Sequence, residues 1–228
     1  MKRDYLYGTD YTLKQNRDMY HFNSDTELLG RFLIVNGDDS VLDIGCASGA
    51  LMLYAAYSRP SAICGIDLFE EVTACAKENM IYNHVEAELI TGRVQNLKDR
   101  RFSLIVCNPP YFSSKNKDLV SANPYKAAAR HEEYLTPDEL FEAVKRLLSE
   151  NGRFCMVHRA ERLSSLFETA KRYGLTCTRL KIAYEAEGRN AKSAAMEFMK
   201  TKDRLLVIEP PAYMDGRDTF ALRGGDSK

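Results

Sequence analysis

No two cysteines in this chain stand at the C-x-x-C spacing of a zinc site or a dithiol redox motif: Cys46, Cys64, Cys75, Cys107, Cys155 and Cys177 are 18, 11, 32, 48 and 22 positions apart. Most lie in apolar runs, where a reduced thiol behaves as a small buried hydrophobe. Charge excess is absent too, with 32 Lys and Arg against 32 Asp and Glu, so any nucleic acid or anionic surface must be met by a local patch. The longest unbroken apolar run, Ala50 to Tyr57, falls far short of the roughly 20 residues of a membrane span. The start MKRDYLYGTD does not read as a signal peptide, so the expected setting is the cytoplasm, with neither membrane nor metal as partner. Glycine (13) and proline (7) are too sparse for a disordered chain, and no internal repeat is present.

What is present, 228 residues with 45% hydrophobic side chains, is the material of one α/β domain. Residues 1–39 are mixed and aromatic-rich. Apolar residues at 28, 29, 32, 33 and 35 behind Ser24 or Asp25 predict a helix over 25–35, within a short N-terminal lid. From Ser40 onward short β-branched runs alternate with helical stretches, giving strands at 40–44, 61–67, 86–91, 102–107 and 152–158. Helices are predicted at 49–58, 70–82, 137–149 and 160–173, the third opened by Thr136 and Pro137 in cap and first-turn positions. Alternation over 176–184 and 193–200, around a loop with Gly188 and Asn190, predicts an antiparallel hairpin. A weaker run at 205–208 is ended by Pro210 and Pro211. The expected plan is a lid at 1–39, one Rossmann-like domain at 40–213 and a polar tail at 214–228, with a seven-stranded, mostly parallel sheet closed by a hairpin edge.

The first strand runs into Asp43-Ile44-Gly45-Cys46-Ala47-Ser48-Gly49, where small residues let the backbone turn sharply and approach a ligand. Open α/β sheets bind ligands beyond the carboxyl ends of their strands, and the second strand ends there with Asp67, an acid able to accept both hydroxyl hydrogens of a ribose. A glycine loop alone is also the mark of a plain turn; Asp67 shifts the reading toward a nucleoside cofactor. Ala47 and Ala50 break the G-x-G-x-x-G spacing of nicotinamide sites, so S-adenosylmethionine fits better than NAD.

The fourth strand ends in Cys107-Asn108-Pro109-Pro110-Tyr111-Phe112. Paired prolines forbid continued sheet or helix and hold the Asn108 side chain and the Pro109 carbonyl as rigid acceptors. A planar amino group has its lone pair delocalised into its ring. Two acceptors that take its hydrogens in a fixed geometry favour the pyramidal, developing-ammonium form. Tyr111 is placed to stack on an extruded base. The plainer alternative is a proline-terminated strand capped by an aromatic.

These residues carry a resemblance. Asp43 to Gly49 resembles motif I of class I S-adenosylmethionine-dependent methyltransferases, and Asn108 to Tyr111 resembles the (N/D/S)-P-P-(Y/F/W) motif of enzymes that methylate planar amino groups. The segments His21 to Leu29, Ala129 to Glu132 and Phe154 to Leu163 are similar to those of the bacterial tRNA1(Val) adenine-37 N6-methyltransferase family, over roughly residues 15 to 213. The resemblance implies a class I methyltransferase fold, S-adenosylmethionine as cofactor and tRNA as partner. It further implies Asn108, Pro109, Pro110 and Tyr111 as catalytic residues, and Asp43, Gly45, Ala47, Gly49, Asp67 and Asn108 around the cofactor. Phe112, Arg130, His131, Arg159 and Arg162 are implied as substrate contacts. Two departures stand out: Ala47 replaces a glycine usual in the family, and Arg93 stands where many relatives place an acid that accepts from the cofactor's adenine amine. An arginine cannot accept that bond, which leaves Gln95, a backbone carbonyl or water.

Residues 153–204 hold twelve basic against six acidic side chains, net +6, and 113–130 hold four basic against one acidic. Both are candidates for a phosphate-attracting rim, although charged stretches are more often solvated surface. The long loop 112–134 follows the tetrapeptide directly and is placed to order over a flipped nucleotide. Tyr5, Tyr7, Tyr11 and Tyr20 offer stacking surfaces for RNA or packing for the lid. His131 and His158 read first as hydrogen-bonding groups. The competing functions are methylation of DNA adenine or protein glutamine, disfavoured by the 39 residues before the first strand, and an RNA-binding module that has lost catalysis.

Overall fold

A strand covered by helices on both faces needs no alternation, and the runs around Val41, Ile63 and Leu104 are apolar almost throughout. The computed structural model, which describes residues 3–15, 22–109, 135–201 and 203–214, places them side by side. A small hairpin of β1 (Asp4–Tyr5) and β2 (Thr12–Leu13) is followed by α1 (Ser24–Phe32). Then come β3 (Ser40–Ile44), α2 (Ala50–Ala56), β4 (Ala62–Asp67), α3 (Glu70–Tyr82), β5 (Glu88–Thr91) and β6 (Phe102–Cys107). After the residues outside the description follow α4 (Pro137–Leu147), β7 (Leu148–Arg159), α5 (Leu163–Arg172), β8 (Thr176–Tyr184) and β9 (Ala191–Met199). Two short strands, β10 (Val207–Ile208) and β11 (Ala212–Tyr213), close the described chain.

The sheet order is β10-β8-β9-β7-β6-β3-β4-β5, with β11 also on β8. Strands β5, β4, β3, β6 and β7 run parallel, and β9 is antiparallel to both β7 and β8. The seven strands expected from the sequence are therefore there, and β10 and β11 extend the sheet to nine. From β3 the chain winds outward to β4 and β5, then returns to place β6 on the other side of β3. The switch point lies between β3 and β6, where Ile44 pairs with both Cys107 and Ile66. Gly45, Asp67 and Asn108, each next in line, leave the sheet at one level.

Helix α1 of the N-terminal segment belongs to the core. Leu28, Leu29 and Phe32 of α1 are 0–3% exposed and pack with Val41, Leu104 and Val157 on one face of the sheet. On the other face Phe141 stands edge-on to Phe154 and Phe198 at 5.7 and 5.3 Å. The helix expected at 137–149 stops at Leu147 because the chain passes straight into β7, which is longer than the strand read at 152–158. The helix expected from 160 opens as a tight turn, Ala160–Arg162, before α5. All six cysteines are free thiols, and Cys46, Cys64, Cys107 and Cys155 are buried. Among the described residues no helix is long and apolar enough to cross a membrane.

Candidate active site

The loop between β3 and α2 is built from three left-handed residues, Gly45 (φ 72°), Ala47 (φ 48°) and Gly49 (φ 86°). It wraps over the end of β4. The N–H groups of Gly45 and Cys46 both donate to the Ile66 carbonyl, at 2.8 and 3.1 Å, and the Ala47 N–H donates to Asp67 Oδ2 at 3.0 Å. Asp67 is therefore partly a structural acceptor for the loop, a task the sequence did not disclose. Each carboxylate oxygen takes more than one donor, so capacity for a ribose remains. Burial pushes the Asp67 carboxyl above its ordinary range, while backbone N–H groups, the Ala47 N–H foremost, pull the other way.

Asp43, at the centre of the sheet, is 1% exposed, and neither of its oxygens has a hydrogen-bond partner among the described residues. Burial first, and then the neighbouring charge of Asp67, raise its carboxyl to about 8. A buried acid without donors is costly. Both acids line one cleft, together with Gly45, Ala47, Asn108 and Pro109, so a cationic ligand entering there would meet the orphaned oxygens.

Asn108 follows β6 and reaches sideways to α1: its Nδ2 donates to Thr26 Oγ1 at 3.0 Å. Thr26 and Phe22 also line the cleft, a contribution from the N-terminal segment that sequence reading missed. The available signal was the helix cap, since Asn23 Oδ1 receives the N–H groups of Asp25 and Thr26 and so fixes where α1 begins. On the opposite rim Arg93, Val94 and Gln95 face the cleft, and Gln95 Nε2 donates to Glu139 Oε1 at 3.2 Å.

The structure thus gathers Asp43, Gly45, Ala47, Asp67, Asn108 and Pro109 into one wall. Gly49 stands behind it as the cap of α2, against Met80. Pro110, Tyr111, Phe112, Arg130, His131 and Tyr20, with the loop 112–134, lie outside the described residues. Arg159 and Arg162 are half-buried at the carboxyl end of β7, the same edge of the sheet that Asn108 leaves, but do not line the cleft themselves. Beside them His158 is 1% exposed; burial, then the Arg162 charge, lower it to about 4. Its Nδ1 accepts the Arg159 N–H at 2.9 Å, which fits a neutral structural imidazole. The basic excess over 153–204 is smaller in space than in sequence, because Arg153 pairs with Asp39, Arg172 with Asp138 and Lys200 with Glu150, all acids from outside that stretch. Tyr5 and Tyr7 are 65% and 54% exposed, whereas Tyr11 stands edge-on to Tyr57 at 6.4 Å.

Comparison with known proteins bears on family and fold. The family described as the methyltransferase small domain matches residues 19–170. A protein of Trichodesmium erythraeum named tRNA1(Val) (adenine(37)-N6)-methyltransferase is 29% identical over 220 residues, 89% of each chain. A protein of the same name from Erwinia tasmaniensis is 34% identical over 177 residues, 72% of this chain and 71% of the relative. Among solved structures, a 16S rRNA guanine-N2 methyltransferase of T. thermophilus, crystallised with AdoMet and guanosine, superposes with a TM-score of 0.62 at 17% identity, covering 88% of this chain and 50% of that one.

Proposed function

Since the chain belongs to the family of methyltransferase small domains, we infer that it methylates N6 of an adenine in tRNA with S-adenosylmethionine, its curated relatives' name pointing to adenine 37 of a valine tRNA. One observation carries this reading: Asp43, Gly45, Asp67 and Asn108 meet in one cleft at the carboxyl ends of three adjacent strands. The residues fit the cofactor because a buried acid with orphaned oxygens suits the positively charged methionine end, and Asp67 suits the ribose hydroxyls. Gln95, whose amide nitrogen is engaged by Glu139, offers its oxygen to the adenine edge in place of the acid that Arg93 replaces. When bound, S-adenosylmethionine supplies a methyl group on a sulfonium, with a neutral thioether as leaving group.

The chain's own residues then act on the other reactant. Asn108 Oδ1 and the Pro109 carbonyl accept the two hydrogens of the target amine and hold its nitrogen lone pair toward the methyl. Tyr111 stacks on the base, and Phe112, Arg130, His131, Arg159 and Arg162 contact base or phosphates. No strong base is required, since the surplus proton leaves to solvent after transfer. The cytoplasm is the natural setting for such a substrate.

Labelled S-adenosylmethionine offered with tRNA, duplex DNA and a release factor tests the assignment; label is expected in N6-methyladenosine of tRNA, and label only in DNA or only in protein overturns it. Asn108→Ala is expected to retain cofactor binding by calorimetry and to lose about two to four orders of magnitude in kcat. Unchanged turnover would remove the role given to Asn108.

A further inference from the structure

We propose that Thr26 on α1 is a positioning residue that decides which end of the Asn108 amide faces the target amine; this rests on the acceptor role given to Asn108 above. A carboxamide is nearly symmetrical in shape and opposite in polarity at its two ends. Turned one way Asn108 offers an oxygen to the amine hydrogens; turned the other it offers N–H groups against them, and the site repels its substrate. Something must choose.

The choice is made by a relay that begins at the helix cap. Asn23 Oδ1 already accepts from the backbone N–H groups of Asp25 and Thr26, at 3.0 and 3.2 Å, and is thereby committed as an acceptor. The Thr26 hydroxyl makes a long contact of 3.5 Å to the same oxygen, and a hydrogen directed that way leaves the Oγ1 lone pairs free to accept from Asn108. Oγ1 then presents lone pairs to Asn108, whose Nδ2 sits 3.0 Å away. With its nitrogen held toward α1, the amide carries its oxygen on the other side. Thr26 is 5% exposed, so water does not readily compete for these bonds. The platform is also anchored. Asp25 Oδ1 accepts from Ser193 Oγ of β9 at 2.6 Å, and Arg179 of β8 donates to the Phe32 carbonyl at the other end of α1 at 2.9 Å.

The test compares Thr26→Val, which keeps the shape and removes the oxygen, with Thr26→Ser, which keeps the oxygen. Thr26→Val is expected to hold cofactor affinity and the KM for tRNA within about threefold of wild type and to lose about 10- to 100-fold in kcat, as when a transition-state contact is misaimed. Thr26→Ser is expected to recover kcat to within about threefold. Should the valine variant fail to fold, Thr26→Ala is read in the same way. Wild-type kcat in Thr26→Val beside an inactive Asn108→Ala overturns the positioning role and leaves the Asn108 reading intact. Full activity in Asn108→Ala overturns that reading instead. A loss in Thr26→Val that serine does not restore assigns Thr26 to packing alone.

Discussion

Two glycines four positions apart in the loop after β3 have opposite surroundings. Both are left-handed, a conformation that costs a residue with a Cβ about 1–2 kcal/mol. A Cβ on Gly45, which lines the cleft, would meet no protein atom within 4 Å, whereas one on Gly49 would lie 2.7 Å from Met80 Cε. Gly45→Ala is therefore expected to lower stability by about 1 kcal/mol and cofactor affinity by at least about tenfold, its methyl filling space the ligand needs. Gly49→Ala is expected to cost somewhat more stability, about 1–2 kcal/mol, since the end of the buried Met80 side chain must shift, and less affinity, because Gly49 lies off the cleft. Urea denaturation and calorimetry on the two variants check the crossover; the same ranking in both assays would contradict it. Ala47 between them, at φ 48°, shows that the loop already carries one methyl in this conformation.

At the scale of elements, Arg179 of β8 ties together parts of the chain that no short-range pattern connects. Its guanidinium lies 3.8 Å over the Phe32 ring, donates to the Phe32 carbonyl, and pairs with Glu197 of β9 at 3.0 Å and Glu209 beyond β10 at 2.7 Å. Among the described residues, replacing it by methionine leaves Glu197, 7% exposed, with a Thr178 hydroxyl but no counter-charge, and Glu209 with Lys181 alone, so Arg179→Met is expected to cost about 3 kcal/mol, read as a lowered melting midpoint. Lysine has no fork to reach the same partners and is expected to recover only part of that. Such links explain what the sequence revealed and what it hid. The strands at 40–44 and 102–107 and the helix at 70–82 were legible to the residue, because apolar runs and periodic faces are local facts. The loop after β3 and the acid at 67 were legible as neighbours, and both line one cleft. The pairs β1–β2, β10 and β11 were not, or only faintly, since two residues cannot display a period. Nor was Thr26, whose partner Asn108 is 82 positions away.

For the whole molecule, the buried acid under the cleft ties stability to pH. The Asp43 carboxyl is raised from 3.8 to about 8 on folding, so its contribution is complete below about 3.8 and is lost as pH rises through about 8. His158 is lowered from 6.5 to about 4 and acts in reverse, its contribution complete above 6.5 and lost as pH falls through about 4. Between about 4 and 6.5 the two slopes oppose each other; from about 6.5 to 8 Asp43 acts without that offset, at no more than about 1.4 kcal/mol per pH unit. Cofactor-free protein is expected to lose up to about 2 kcal/mol between pH 6.5 and 8, a decline that Asp43→Asn abolishes in thermal melts. An identical decline in both proteins would clear Asp43 of the effect. The bond from Ser193 to Asp25 spans 168 positions, and it has a consequence in time as well as in space. A helix that a ribosome delivers early is secured by a strand delivered long after it. A nascent chain halted before β9 holds most of the sheet and lacks that anchor, so only copies that extend through β9 gain the fully braced α1.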